Sequence, residues 1–373
     1  MNSEKDEDLL REIRTHYDDD AKFWSQNYEE GDNDLQCLSV KGPWPQEERE
    51  RRELAMRPVV HQDIIKQYIR RIVNQARLNT RGIKINPSGE NANEKTAELR
   101  ENRIRQIGYE TNAKHARLSA LQQAVECGIG FYLVRTEFVS PNSFNQKIIV
   151  EPIRNRKSVL MDPYCKQADR SDAKRCIIID RYSHEDFRRK WPKASIQSFN
   201  ADVMKLAPSW ITEKDIQVGS YFTVEIKEKT LLLLKTPEGT IEQFLEDLKG
   251  AEIDQKENAL IWENQVVPIL KQRKSECKTV MQYMTNGVEI LSRVKWVGST
   301  IPVIMLAGNE YFDKDGKLVI DSATRAGREA QLTFDYAVTN QVEKIGQIPK
   351  AKFWGAKGQF NTSTDFEHLH SDP

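Results

Sequence analysis

The sequence predicts an α+β fold in which helices pack with β meanders and a long helix follows them. Three observations carry that reading. Helical periodicity dominates residues 63–127, strand blocks parted by turn residues dominate 131–320, and a further helical pattern covers 325–346. With 373 residues the chain is long enough for two or three packing units whose cores need neither disulfides nor a metal.

In chain order, residues 1–56 read as an N-terminal helical arm, mixing helical patches with charge runs such as Asp18, Asp19 and Asp20 and the stretch EERERRE from Glu47 to Glu53. A solvated tail is the bland reading. Docking through Phe23, Trp24 and Tyr28 is the other, and Gly42, Pro43 and Pro45 break any helix before the charged stretch. From Asp63, Ile64, Ile65, Tyr68, Ile69, Ile72, Val73 and Ala76 recur at steps of three and four, which predicts an amphipathic helix. Arg81-Gly82 then switches the period, and Ile83-Lys84-Ile85 reads as a short strand closed by Asn86-Pro87. One long helix is expected from about Glu94 to Cys127, stopped by Gly128, and the small alanines late in its buried stripe suggest close packing.

Strands follow at Phe131 to Val139 and Lys147 to Pro152, with SPNSFNQ as the hairpin loop, and at Arg175 to Tyr182. His184 to Trp191 looks like a short helix bounded by Pro192. Tyr221 to Lys235 carries strand signals on both sides of a charged turn at Lys227 to Lys229, while Ile241 to Ala251 leans toward a helix. Asn286-Gly287 marks a hairpin between Lys278 to Tyr283 and Glu289 to Trp296. Ile301 to Leu306 and Lys317 to Ile320 extend the strand-rich region. Arg325 to Gly346 then reads as one helix about 33 Å long at 1.5 Å per residue, with Leu332, Tyr336, Val338, Val342 and Ile345 as its apolar side, and Ile348-Pro349 ends it.

Lys plus Arg equals Asp plus Glu at 56 each, so there is no global electrostatic drive toward nucleic acid. The five cysteines are widely spaced without a C-x-x-C pair, which disfavours a zinc module and a secreted disulfide framework and suits a reducing cytoplasm. No stretch approaches 18 apolar residues, and the start MNSEKDEDLL lacks the parts of a signal peptide, so no membrane partner is expected.

Chemistry-bearing motifs are scarce. Of six histidines only His368 and His370 sit at a suggestive spacing, and a polar tail does not hold a metal geometry. Asp313-Lys314-Asp315-Gly316 begins like a calcium loop but continues with Lys317, Leu318 and Val319, so a turn is expected. Asp162, Asp169 and Asp172 likewise read as a structural turn. Phosphate-loop, dinucleotide and nucleophile-elbow motifs are missing, so no catalytic residue, metal or cofactor is expected and the protein is not expected to be an enzyme.

Four ordered blocks resemble the portal proteins of short-tailed, podovirus-type bacteriophages. They are Arg57-Pro58 with VNQARLNTRGIKINP (Val73 to Pro87), IRQIGYETNAKHARLSALQQAVECGIGFYLVRTEF (Ile104 to Phe138), VEPIRNRKSVLMDPYCKQADRSDAKRCIIID (Val150 to Asp180), and IPVIMLAGNE (Ile301 to Glu310) leading to DSATRAGREAQLTFDYAVTNQVEKIGQIPKAKFWGAKGQF (Asp321 to Phe360). The resemblance implies an arm at 1–56, a wing-like α+β domain at 57–321, a first stem helix at 322–348 and the start of a clip-like segment at 349–373. It implies a ring, usually of twelve subunits, at the portal vertex of the virion, with host cytoplasm as the place before assembly. The ring would form the channel for genome packaging and ejection.

Its partners would be further copies of itself, the terminase large subunit, a capsid or scaffolding protein, a tail adaptor protein, and double-stranded DNA that passes without tight binding. Arg325, Arg328 and Lys344 are candidates to face the channel. Lys350, Lys352, Lys357 and Trp354 are candidates for clip contacts, because they interleave basic and aromatic groups. The family continues through a second stem helix and often a crown, so a fragment, split gene product or prophage remnant is expected here. A monomeric α+β enzyme or nucleic-acid-processing protein with a non-local site is the alternative.

Overall fold

The computed structural model describes residues 2–79, 82–88, 93–194, 215–236, 239–248, 252–254, 259–262 and 265–347. Among these residues the helices are α1 (Asn2–Cys37), α2 (Gln46–Leu54), α3 (Ile65–Leu78), α4 (Glu94–Glu110), α5 (Ala113–Cys127), α6 (His184–Lys190) and α7 (Ala323–Gln347). The strands are β1 (Ile129–Phe138), β2 (Gln146–Ile153), β3 (Val159–Met161), β4 (Arg175–Ser183), β5 (Asp215–Thr236), β6 (Gly239–Phe244), β7 (Glu252–Asp254), β8 (Ala259–Trp262), β9 (Gln265–Thr285), β10 (Ile290–Lys295), β11 (Val303–Ala307), β12 (Asn309–Phe312) and β13 (Leu318–Asp321). The α+β expectation holds. Two compact units share the chain: a sheet unit of Met1–Tyr28, Arg81–Gln123 and Ile129–Ala307, and a helical unit of Glu29–Thr80, Ala124–Gly128 and Gly308–Pro373.

In the sheet unit every strand pairing is antiparallel. One sheet runs β11-β1-β2, and the other runs β3-β4-β5-β9-β8-β7, with β10 added to β9 and β6 to β5. The expected hairpins at 131–152 and around Asn286-Gly287 are present, and Gly287 takes the positive φ of 85° that its turn requires. Close packing of the alanine-rich helix also appears. A Cβ on Gly130 of β1 would lie 1.9 Å from the Ala120 carbonyl oxygen of α5, so only a glycine lets the two backbones meet.

The N-terminal segment is one continuous helix instead of patches, and its side chains dock. Leu10, Ile13, Asp20, Trp24, Asn27 and Tyr28 are buried at helical spacing. Trp24 Nε1 donates to the Met161 carbonyl at 2.7 Å, the Tyr28 hydroxyl donates to the Val159 carbonyl, and Arg14 donates to the Gly287 carbonyl at 2.7 and 3.0 Å. Asp20, wholly buried, takes a two-pronged pair from Arg175 at 2.6 and 3.0 Å. Burial raises its carboxyl above the usual range, and the Arg175 hydrogen bond opposes that shift.

Strand alternation places this helix relative to α6. Odd-numbered positions of β4 and β5 meet α1, since Arg175 holds Asp20 and the Tyr221 hydroxyl lies 2.9 Å from His16 Nδ1. Even-numbered positions meet α6, where Ile216, Val218 and Tyr182 surround the fully buried Phe187. Successive side chains point to opposite faces of a strand, so α1 and α6 cover opposite faces of one sheet.

Four local expectations fail. The charged run Lys227 to Lys229 is the middle of β5, paired in register with Cys277, Glu276 and Ser275 of β9. Its charges lie on a ribbon open to water and find partners in Glu225, at 3.0 Å from Lys227, and Asp247, at 2.5 Å from Lys229. Ile241 begins no helix: β6 pairs with Leu231 to Thr236 and ends in a short 3-10 turn, because Leu232 and Leu234 need Leu245 and Leu248 as cover. Ile83 to Ile85 has no strand partner and is irregular. The single helix expected over 94–127 is two, broken where Thr111 Oγ1 donates to the Ile107 carbonyl and Asn112 takes a positive φ of 51°.

The helical unit gathers Cys37, Leu38, Ile65, Ile69 and Val73, with Val125 against them, into its core. The amphipathic helix expected from Ile64 is therefore α3, with Ile65, Ile69 and Val73 inward. Gly128 stops α5 at a φ of 88° as expected. Asp313 to Gly316 is the turn between β12 and β13, and the Asp313 carboxylate accepts the amides of Asp315 and Lys317 at 3.0 and 2.8 Å.

Candidate functional site

The expected long helix near the C-terminus exists as α7, 25 residues long. Ser322 starts it: its hydroxyl accepts the Arg325 amide at 2.9 Å and donates to Asp34 at 2.8 Å. Asp34 is fully buried and also takes Arg325 at 3.1 Å and Arg328 at 3.4 Å, while Glu30 holds Arg328 at 3.0 Å. Burial raises the Asp34 carboxyl despite these partners.

Beyond Arg328 the buried stripe of α7 is polar. Gln331, Asp335 and Thr339 are at most 3% exposed, whereas Val342 is 42% and Ile345 68% exposed. Of the apolar positions read from the sequence, Leu332, Tyr336 and Val338 are partly covered, whereas the residues fully buried within the chain are these polar ones. The physical reason is the neighbour. Residues 57–64 form an irregular strap beside α7, and its backbone needs hydrogen-bond partners that an apolar face cannot supply.

Those partners come at steps of four along the helix. Arg57 forks onto Glu343 at 2.8 and 3.0 Å, and Thr339 Oγ1 accepts the Val60 amide at 3.1 Å. Asp335 accepts the Gln62 amide at 3.2 Å and His61 Nδ1 lies 2.6 Å from its other oxygen. Gln331 accepts the Ile64 amide at 3.1 Å and donates to the Gln62 carbonyl at 2.7 Å. Four helical residues rise about 6 Å and two extended residues about 6.6 Å, so a strap running opposite to the helix stays in step with it. Trp44 closes the far side, fully buried, with its ring 4.4 Å from that of Tyr336 and its Nε1 donating to the Val60 carbonyl.

The candidate residues fall into two groups. Arg325 and Arg328 are half-buried in the ion pairs with Asp34 and Glu30, while Lys344 is exposed in the last turn of α7. Lys350, Lys352, Trp354 and Lys357 lie outside the described residues, as do His368 and His370. Sequence reasoning missed the strap and His61, although the run Gln331, Asp335, Thr339 and Glu343 at every fourth position was a usable signal.

The acidic loop at 162–172 is a structural turn. Asp162 accepts the amides of Tyr164 and Lys174 at 3.0 and 2.9 Å, and Asp172 accepts those of Lys166 and Gln167 at 2.6 and 3.3 Å. The Lys166 bond leads in holding the Asp172 carboxyl below its usual range. Burial pushes the Cys37 and Cys165 thiols up to about 11 and about 12. Among the described residues no cluster of His, Cys, Asp and Glu could hold a metal ion, and no helix is long and apolar enough to cross a membrane.

A family model described as phage P22-like portal protein matches residues 14–373. No curated protein matches the chain. The family is a structural, non-enzymatic phage component, a ring oligomer of the head-to-tail complex at the portal vertex of the virion. With nearly its whole length matched, the chain belongs to the phage P22-like portal proteins.

Proposed function

We propose that the chain is a subunit of a connector ring, usually of twelve copies, that forms the channel for genome packaging and ejection and docks the terminase motor. In this reading α7 is the first stem helix of a stem at 322–348, preceded by an arm at 1–56 and a wing at 57–321. Residues 349–373 begin the clip.

The observation that carries the channel reading is the charge on the open side of α7. With Arg325 and Arg328 paired to Asp34 and Glu30, its exposed residues are Ala323, Ala326, Glu329, Ala330, Thr333, Ala337, Asn340, Gln341, Val342, Lys344, Ile345 and Gly346. One acid balances one base. A conduit must surround DNA without holding it, and each phosphate neutralised by a fixed cation would add salt-sensitive affinity that slows passage. Small and neutral side chains suit that task. Lys350, Lys352, Lys357 and Trp354 are assigned to motor or DNA contact at the clip.

Native mass measurement and negative-stain imaging test the ring, with about twelve subunits as the expected result. Strictly monomeric chain at high concentration rejects it. Replacing Lys350, Lys352 and Lys357 by Ala should weaken terminase or DNA binding with the fold intact, and unchanged binding removes the cluster's role.

A further inference from the structure

The sheet unit carries opposite charge on its two helical faces. On the part of α1 within the sheet unit, up to Tyr28, the exposed acids are Glu7, Asp8, Glu12, Asp18 and Asp19, and the exposed cations are Arg11 and Lys22 alone among the described side chains. Asp8, Glu12 and Asp19 follow one another at steps of four and seven, which sets them along one side of the helix. The inner acids of α1 are taken up, Asp6 by Arg293 and Asp20 by Arg175.

Across the sheet, α6 and the segment after it expose Arg188, Arg189, Lys190 and Lys193 against Glu185 and Asp186. Arg181, Tyr182, Asp186, Arg189 and Lys190 line a concavity of about 590 Å³. Asp186 is occupied by the Ser183 hydroxyl and by Arg189 at 2.8 Å, and Lys190 lies over the rings of Tyr182 and Trp191 at about 5 Å. The hollow is thus aromatic-walled and cationic, with its own nearest carboxylate already engaged.

We propose that the α6 concavity receives the acidic side of α1 from a second copy of this chain, in a head-to-tail contact. This rests on the ring reading above and names one of its interfaces. A two-fold contact would set acid against acid or base against base, whereas unlike patches on opposite faces of one unit join only head to tail, the geometry that closes into rings. Arginine forks recognise paired carboxylates in fixed geometry, and complementary charge at a contact sets register.

The test uses the full chain, with sedimentation and native mass measurement at low and high salt. The pair Arg188→Glu and Arg189→Glu, and separately Asp18→Lys and Asp19→Lys, should each weaken self-association at least tenfold, and the parent's association should fall as salt rises. An equal mixture of the two reversed chains should associate as the parent does, since each then offers what the other lacks. Arg188→Gln with Arg189→Gln, a milder change at exposed positions, should weaken association in the same direction. Near-ultraviolet dichroism checks the fold of each variant.

Reversed and neutralised chains that associate like the parent overturn this contact and leave the ring reading standing. A parent that stays monomeric at every concentration overturns both. An α6 variant that assembles normally but no longer binds a short DNA duplex overturns the proposal in favour of a nucleic-acid face.

Discussion

His61 Nδ1 lies 2.6 Å from the carboxylate of Asp335, which is wholly out of water, and the ring's other nitrogen is buried without a hydrogen-bond partner. That carboxylate also receives the Gln62 amide and the Gln331 side chain. Replacing Asp335 by Ala leaves His61 Nδ1 and the Gln62 amide without their partner, and removing one partner from a buried polar network costs about 3–5 kcal/mol. Chemical denaturation of the parent and the variant measures the loss. An Asp335→Ala chain as stable as the parent would show that the strap is not held by this residue.

Glu343 supplies a pH test of the same seam. The forked hydrogen bond from Arg57 holds its carboxyl below the ordinary value of 4.5. A carboxylate with a depressed folded-state pKa contributes stability above its unfolded pKa and loses it as pH falls through the folded one. Parent and Glu343→Gln should therefore differ in thermal midpoint at neutral pH and converge in acid, below the ordinary glutamate range. A gap that stays constant into acid rejects the pairing as its source.

Two glycines make a matched pair. A Cβ at Gly130 meets the Ala120 carbonyl oxygen at 1.9 Å, whereas one at Gly108, inside α4, meets nothing within 4 Å. Gly130→Ala should destabilise the sheet unit by about 3 kcal/mol or more through overpacking against backbone. Gly108→Ala should stabilise α4 by about 0.5–1 kcal/mol through helix propensity. Thermal melts of both variants would settle the signs, and equal effects would contradict the α5–β1 contact.

Docking of α1 is tested at Trp24, which is 2% exposed and donates to the Met161 carbonyl. Trp24→Ala should cost about 3–5 kcal/mol as a large buried aromatic is lost. Trp24→Phe should cost about 1–3 kcal/mol, mainly from the unpaired carbonyl. Amide exchange should then quicken along α1. A tail lying free in solvent would show fast exchange in the parent and no change in either variant.

Much of the fold was legible locally. The period of Ile65, Ile69 and Val73 marked α3, and Asn286-Gly287 marked the β9–β10 hairpin, since these signals depend on neighbours in sequence. The candidate site was half legible: the existence of α7 could be read, but the direction it faces could not. Apolar spacing along Leu332, Tyr336, Val342 and Ile345 suggested a packed side. The actual neighbour is a backbone strap from residues 57–64, more than 250 positions away in sequence, that demands polar partners.

By itself the sequence determined the element types where a period or a turn residue left one solution, the neutral charge balance, and the ordered blocks that resemble a portal protein. Tertiary structure alone decided that Trp24 and Tyr28 are buried, that Lys227 to Lys229 continue a strand, that Gln331 and Asp335 face inward, and that α1 and α6 lie across one sheet with opposite charge. The physical reason is common to all four. Helix period and turn chemistry are local properties of the chain, while the burial of a side chain depends on which distant backbone or side-chain groups it must satisfy.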